Sequence, residues 1–322
     1  MIQSDLSDSH LERACWDGQP DAVRALLRDE EVCKSVLELR SNAITIAILR
    51  GRASTLEVLF EKFSVAHVKA DADPVLMSAA VSDDFDTFKL VLEQPGVDID
   101  AAPEGQKTPI QIAASHLNFR IVKALLERGA VTMESGDNCD AMRYALNANQ
   151  NDLSLCVPVV SLLLRERPHE FVSKFWNELK SGAPAMHEET VKAFLDAGAD
   201  VNEADEYGVT ALHVYVYYMT CLTEEFCAER RMPQIIETLI ERASVDALTA
   251  KTTADVTASS FFLLDNHPLG IGTSPLDIAQ NCGYAPSRER VMKTIKAAIC
   301  KRNAAGKGPY LRETPAPTPA PG

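Results

Sequence analysis

Positive charge is in short supply. Against 46 Asp and Glu the 322-residue chain carries 32 Lys and Arg, a net charge of −14 with histidine neutral. Nucleic-acid affinity rests on cations that neutralise phosphates, so this balance argues against a nucleic-acid partner. It argues against an anionic membrane surface for the same reason. Long apolar runs are missing as well. The stretch from Leu155 to Leu164 has half the ~20 residues a helix needs to span a bilayer, and it contains Pro158. Met1 to His10 carries Asp5 and Asp8 and no apolar core, so no secretory signal is expected. No prenylation cysteine stands at the Pro-Gly end, and there is no N-x-S/T sequon. These features point to a cytoplasmic protein, with the nucleus left open.

Catalytic and metal signatures are equally scarce. There is no G-x-G-x-x-G, Walker A loop, G-x-S-x-G or H-E-x-x-H. Cys15, Cys33, Cys139, Cys156, Cys221, Cys227, Cys282 and Cys300 form no C-x-x-C pair and read as reduced, mostly buried small hydrophobes. No two of the seven histidines stand at i, i+4, the spacing of a helical metal pair. No cofactor, metal or catalytic residue is therefore expected. Asp83-Asp84-Phe85-Asp86 has the outline of a metal–pyrophosphate motif, but a polar turn explains it better. A nucleophile assembled from distant segments, Cys221 or Cys227 with His213 or His187, is the least implausible route to chemistry.

Self-similarity is what the chain has in plenty. Ala14, Ala47, Ala79 and Ala113 form one series, Val23, Leu56, Phe88 and Val122 a second, Leu27, Phe60, Leu92 and Leu126 a third. All three advance by 33, 32 and then 34 residues. Within a unit the pattern reads as two short helices. Ile110, Ala113 and Ala114 give the first a small inner side, and Phe119, Ile121, Val122, Leu125 and Leu126 give the second an apolar stripe that Gly129 ends. Neither helix can bury its face alone, so neighbouring units must stack.

The unit Gly198-Ala199-Asp200-Val201-Asn202, then Asp205, Gly208 and Thr210-Ala211-Leu212-His213, resembles the ankyrin-repeat signature. Thr108-Pro109-Ile110-Gln111-Ile112-Ala113-Ala114 and Ser274-Pro275-Leu276-Asp277-Ile278-Ala279 are further copies, and Asp73-Pro74-Val75-Leu76-Met77-Ser78-Ala79-Ala80 is a weaker one. The overall look is similar to divergent ankyrin proteins of filamentous fungi. The resemblance implies an all-α ankyrin-repeat solenoid of about eight helix-turn-helix units, irregular in the C-terminal half. Residues 1–303 would form the solenoid, with regular units over 6–131 and divergent units over 139–300. Residues 304–322, rich in Pro and Ala, would form an extended, disordered tail. The resemblance also implies that His213 bonds to Thr and loop backbone within its unit.

Family members bind through fingertip turns and the exposed face of the first helices. Carried onto this sequence, those surfaces hold Trp16 and Asp17, Val81 and Ser82, Gln106 and Lys107, Ser115 and His116, Glu206 and Tyr207, and Tyr217 and Tyr218. The tyrosines either meet a partner or cover the inserted stretch Thr220–Met232. Phe261-Phe262-Leu263-Leu264 presents the same choice in the long connection Ala247–Gly272. The expected function is a non-catalytic, monomeric scaffold whose concave face binds another protein, with a basic surface favoured by charge. The alternative is an auxiliary or catalytic component of a biosynthetic pathway, fungal and secondary-metabolite in type, using a pocket within 140–300.

Overall fold

The computed structural model describes residues 2–38, 41–68, 74–132, 140–148, 153–167, 171, 188–205, 207–221, 227, 231–253, 272–281 and 285–306. Among them every regular element is helical, and the one ladder contact is an isolated antiparallel bridge between Ala204 and Thr210. No described helix is long and apolar enough to cross a membrane. The chain forms two compact units, residues 1–166 and 167–322. The division falls inside the segment expected as one solenoid, at the sixth repeat, whose sequence lacks the Ala pair.

In the first unit five helix pairs follow one another. They are α1 (Ile2–Asp17) with α2 (Pro20–Leu26), an added α3 (Glu30–Leu37), α4 (Ala43–Leu49) with α5 (Ala53–Phe60), α6 (Val75–Ser82) with α7 (Phe85–Leu92), α8 (Pro109–Ser115) with α9 (Phe119–Glu127), and α10 (Ala141–Asn147) with α11 (Val157–Glu166). The first helices pack in order, α1 on α4, α4 on α6, α6 on α8 and α8 on α10. The second helices stack the same way, α2 on α5, α5 on α7, α7 on α9 and α9 on α11. Ala14, Ala47, Ala79 and Ala113 lie at 5% exposure or less, one per layer, as the shared spacing requires. A methyl group there lets the paired helix approach closely. Helices of 7 to 10 residues are too short to persist alone, so burial such as that of Ile121, Val122, Leu125 and Leu126 on α9 holds them, at about 1.5–3 kcal/mol per side chain.

The turn within the first four pairs repeats too. Gly18, Gly51, Asp83 and Leu117 all have left-handed backbone, with φ of 69°, 61°, 58° and 57°. The next layer's turn packs onto the first three, with Arg52 at Gly18, Asp84 at Gly51 and Asn118 at Asp83. A Cβ on Gly51 would come within 2.8 Å of the Asp84 Cβ, which is why glycine stands there. Asn118 donates from Nδ2 to Asp83 Oδ1 at 2.6 Å. Asp84 and Asn118 also cap α7 and α9 by accepting from Thr87 N and Ile121 N. Asp83 and Asp84 are thus a turn and a cap, as the polar-turn reading of that acidic run has it.

The second unit keeps the plan with looser spacing. Its described helices are α12 (Glu188–Asp196), α13 (Ala211–Cys221), α14 (Met232–Arg242), a short α15 (Val245–Thr249), α16 (Pro275–Asn281) and α17 (Ala285–Gly306). First helices α13 and α16 pack together, and second helices α12, α14 and α17 stack in turn. The long connection is closed at its base: Thr252 N donates to Thr273 O at 3.1 Å and Gly272 N to Thr252 O at 2.8 Å. Helix α17 runs three residues into the segment expected to be an extended tail. The rest of that segment, Phe261–Leu264, Cys139, Cys282 and His187 lie outside the described residues.

Candidate functional site

A four-residue polar knot starts the first helix in the fourth, seventh and eighth layers. In the fourth layer Thr108 Oγ1 accepts from Gln111 N while Gln111 Oε1 accepts from Thr108 N at 3.0 Å, and Pro109 occupies the first helical position. In the seventh layer His213 takes the place of Gln111. Its Nδ1 accepts from Thr210 N at 3.1 Å and lies 2.8 Å from Thr210 Oγ1. An amide N–H must donate, so Nδ1 is unprotonated and Nε2 donates to Thr273 O at 3.2 Å. Burial pushes the imidazole pKa down to about 4, against a rise from the Thr273 and Ala250 backbone bonds and from Asp205. In the eighth layer Asp277 Oδ2 accepts from Ser274 N and Oγ, and those hydrogen bonds hold its carboxyl below the usual range. His213 is a structural histidine that bonds to Thr210 within its unit, as expected, but its loop-backbone partner, Thr273, lies outside that unit, at the entry to α16.

His213 and Cys227, two of the four residues named for an assembled nucleophile, are each held in structural contacts. The Nδ1 of His213 is occupied, and Cys227 is buried with Sγ 3.8 Å from Met219 O. Burial, with Glu12 adding to it, pushes the Cys15 thiol up to about 12, far from a thiolate at neutral pH. Cys15, Cys33 and Cys300 are free thiols. No group of three His, Cys, Asp or Glu side chains among the described residues could hold a metal ion.

The C-terminal ends of the first helices form the accessible face. Trp16 is 46% exposed and carries the Arg50 guanidinium 3.9 Å from its ring centroid. Asp17 accepts from Arg13 Nε at 2.8 Å. Val81 is 50% exposed. Ser82 and Ser115 are half-buried, and their hydroxyls donate back to Ala79 O and Ile112 O. His116 and Gln106 are exposed, while Lys107 is half-buried with Nζ 4.4 Å from the Tyr144 ring centroid. Leu49, 46% exposed, was not among the expected residues, although it stands two residues after Ala47 as Trp16 and Val81 stand after Ala14 and Ala79. The repeat register was the signal that could have found it.

The expected tyrosines need correction. Tyr217 and Tyr218 align with Ser115 and His116 but are only 2% exposed, and they meet edge to face at 6.1 Å. Cys227, from the stretch inserted after α13, is itself buried, with Sγ near the Met219 carbonyl of that helix. The burial of Tyr217 and Tyr218 leaves a partner no surface at these positions. Tyr207 is half-buried; its amide donates to Asp205 Oδ1 and its carbonyl accepts from Thr253 N. Glu206 lies outside the described residues.

Layered helix pairs joined by left-handed turns, with a Thr- or Ser-based knot at the start of α8, α13 and α16, define a helical-repeat protein. The family model for ankyrin repeats (many copies) matches residues 76–126. The chain is 30% identical over 118 residues to alpha-latrocrustotoxin-Lt1a of Latrodectus tredecimguttatus, covering 36% of this chain and 8% of the toxin. It is 26% identical over 196 residues to Ankyrin repeat domain-containing protein SAT10 of the fungus Stachybotrys chartarum, covering 58% of this chain and 9% of the relative. The chain therefore spans less than a tenth of the length of either relative. The solved ankyrin repeat domain of human ASB11 aligns over 89% of this chain and 96% of its own at 15% identity and a TM-score of 0.41. The chain contains ankyrin repeats, matched by the family model over residues 76–126. Such repeats support a role in protein–protein interaction.

Proposed function

We propose that this chain is a non-catalytic scaffold that grips a partner protein along its first-helix face. One observation carries the reading: Trp16, Leu49 and Val81 occupy the same register in three successive layers and are each about half exposed. Apolar side chains aligned at a fixed step are a costly thing to leave in water, at about 25 cal/mol per Å². Trp16 is the natural anchor, because an indole buries a large apolar body. Asp17, Ser82, Ser115 and His116 supply the polar border, and the fingertips Gln106 and Lys107 extend it; Glu206 and Tyr207 stand as separate candidates in the second unit. Tyr217 and Tyr218 are not part of this surface. The acid excess favours a partner with a basic surface, through faster encounter more than tighter grip. We take the scaffold to act as a cytoplasmic monomer.

The test is quantitative affinity capture with the intact chain and with Trp16→Ala/Leu49→Ala/Val81→Ala. The expected result is loss of at least one partner with little change in melting temperature, since exposed side chains contribute little to stability. An identical partner set would remove the face from consideration.

A further inference from the structure

The last helix is charged against the rest of the molecule. In a chain of net charge −14, α17 carries Arg288, Arg290, Lys293, Lys296, Lys301 and Arg302 against a single carboxylate, Glu289. It is also too long for its layer. Its 22 residues compare with 7 to 11 in the second helices α2, α5, α7, α9, α11, α12 and α14.

Part of this charge is used internally. Val291 and Ile295 bury the inner side, Arg290 pairs with Glu237 at 2.9 Å, and Arg302 donates to the carbonyls of Ile240 and Glu241 that end α14. Lys293, Lys296 and Lys301 are different. All three are exposed, and none has an ion-pair partner among the described residues. Lys34, Lys89, Lys123 and Lys192, by contrast, each meet a glutamate four residues away on their own helix. Lys293 and Lys296 repel across one turn instead. The three span about 12 Å of helix at 1.5 Å per residue, with the short side chains of Ala297 and Ala304 exposed among them.

We propose that this outward face of α17 docks an acidic amphipathic segment of a partner protein. Charge complementarity selects the occupant. Carboxylates one to two turns apart would neutralise the unpaired lysines, and the small residues between them admit a close neighbour. A nucleic acid or an anionic vesicle meets the same lysines but also the surplus carboxylates of the whole chain, over a screening length of about 8 Å at physiological salt. A short acidic segment avoids most of that repulsion. The face shares no residue with Trp16, Leu49 and Val81, and neither proposal depends on the other.

The experiment uses the full chain and a fluorescein-labelled amphipathic peptide of alternating Glu and Leu-Ala steps, read by fluorescence anisotropy. A single-stranded oligonucleotide and phosphatidylserine-containing vesicles run in parallel. Peptide binding is expected to weaken with added salt. It should also weaken by about tenfold or more in Lys293→Glu/Lys296→Glu/Lys301→Glu. The triple variant Lys34→Glu/Lys89→Glu/Lys123→Glu changes the net charge equally and should bind nearly as the parent does. Should charge reversal lower the melting temperature, the Lys→Gln triple at 293, 296 and 301 serves in its place. No peptide binding, equal weakening in both triples, or tighter binding to the oligonucleotide or vesicles overturns the proposal.

Discussion

The two units solve one packing problem in opposite ways. In the first, Ala47, Ala79 and Ala113 stand at the centre of each first helix with no exposure at all, and the layers keep a nearly constant step. In the second, the matching residue of α13 is Tyr215, which is equally buried. An Ala spacer brings helices together. A Tyr at the same point brings far more volume into the layer, and Tyr217 and Tyr218 on the same helix are buried as well. A fixed register can therefore be held with residues of very different volume, provided the surrounding chain is rebuilt. The rebuilding is visible in the insertion after α13 that brings Cys227 against Met219.

If Tyr215 is the spacer of its layer, removing it should have the largest effect of any single change considered. Tyr215→Ala is expected to cost about 3–5 kcal/mol, the range for deleting a fully buried aromatic. Hydrogen exchange followed by mass spectrometry should show lost protection over 211–221 and 232–242, with 109–127 unchanged. Tyr215→Phe makes the comparison sharper. The Tyr215 hydroxyl is buried with no hydrogen-bond partner among the described residues, and burial raises its pKa well above the ordinary phenol range. Deleting it should leave stability the same or higher. A loss in Tyr215→Phe as large as in Tyr215→Ala would show that the hydroxyl, rather than the ring volume, holds the layer.

The helix-start knots give the next contrast. Gln111 does the work in the fourth layer and does not titrate, whereas His213 does it in the seventh. The folded state holds His213 neutral with a pKa of about 4, against 6.5 when unfolded. The unfolded chain therefore takes up the proton first as pH falls. The stabilisation is complete above about pH 6.5 and is lost progressively down to about pH 4, by up to about 3 kcal/mol. Urea unfolding at stepped pH should show this slope in the second unit. His213→Gln, which imports the neutral acceptor of the other layer, should flatten it. An undiminished slope in that variant would place the acid sensitivity elsewhere.

Much of this architecture is readable from residue type. The Ala series announced the stack because only a small residue fits where two helices touch, and Thr108, Pro109 and Gln111 announced a helix start because their side chains can satisfy free amides. The added helices α3 and α15 were less visible. Asp29 and Ser244 cap them by accepting from Glu31 N and Ala247 N, but a cap with no repeat behind it is a weak signal. The candidate face was half legible. Trp16 and Val81 follow from register, and so would Leu49. Tyr217 and Tyr218 could not be placed, because exposure at their position depends on where an inserted segment folds, and no periodicity encodes that.

The smallest effect concerns the turns, where the first unit departs from its own regularity. Gly18 and Gly51 adopt left-handed backbone freely, and an acidic side chain such as Asp83 tolerates it. Leu117 adopts it at φ 57° with a branched side chain. Its Cβ crowds the following carbonyl, at a strain of roughly 1–2 kcal/mol. Leu117 is half-buried, so the apolar contact it offers in return is partial. Leu117→Asn keeps the turn geometry and removes most of the strain, so a rise in melting temperature equivalent to about 0.5–1 kcal/mol is expected. Leu117→Ala retains a Cβ in the same strained backbone and should give no gain. A drop in Leu117→Asn would mean that the leucine contact outweighs the strain, and that the fourth turn is fixed by packing where the first two are fixed by backbone freedom.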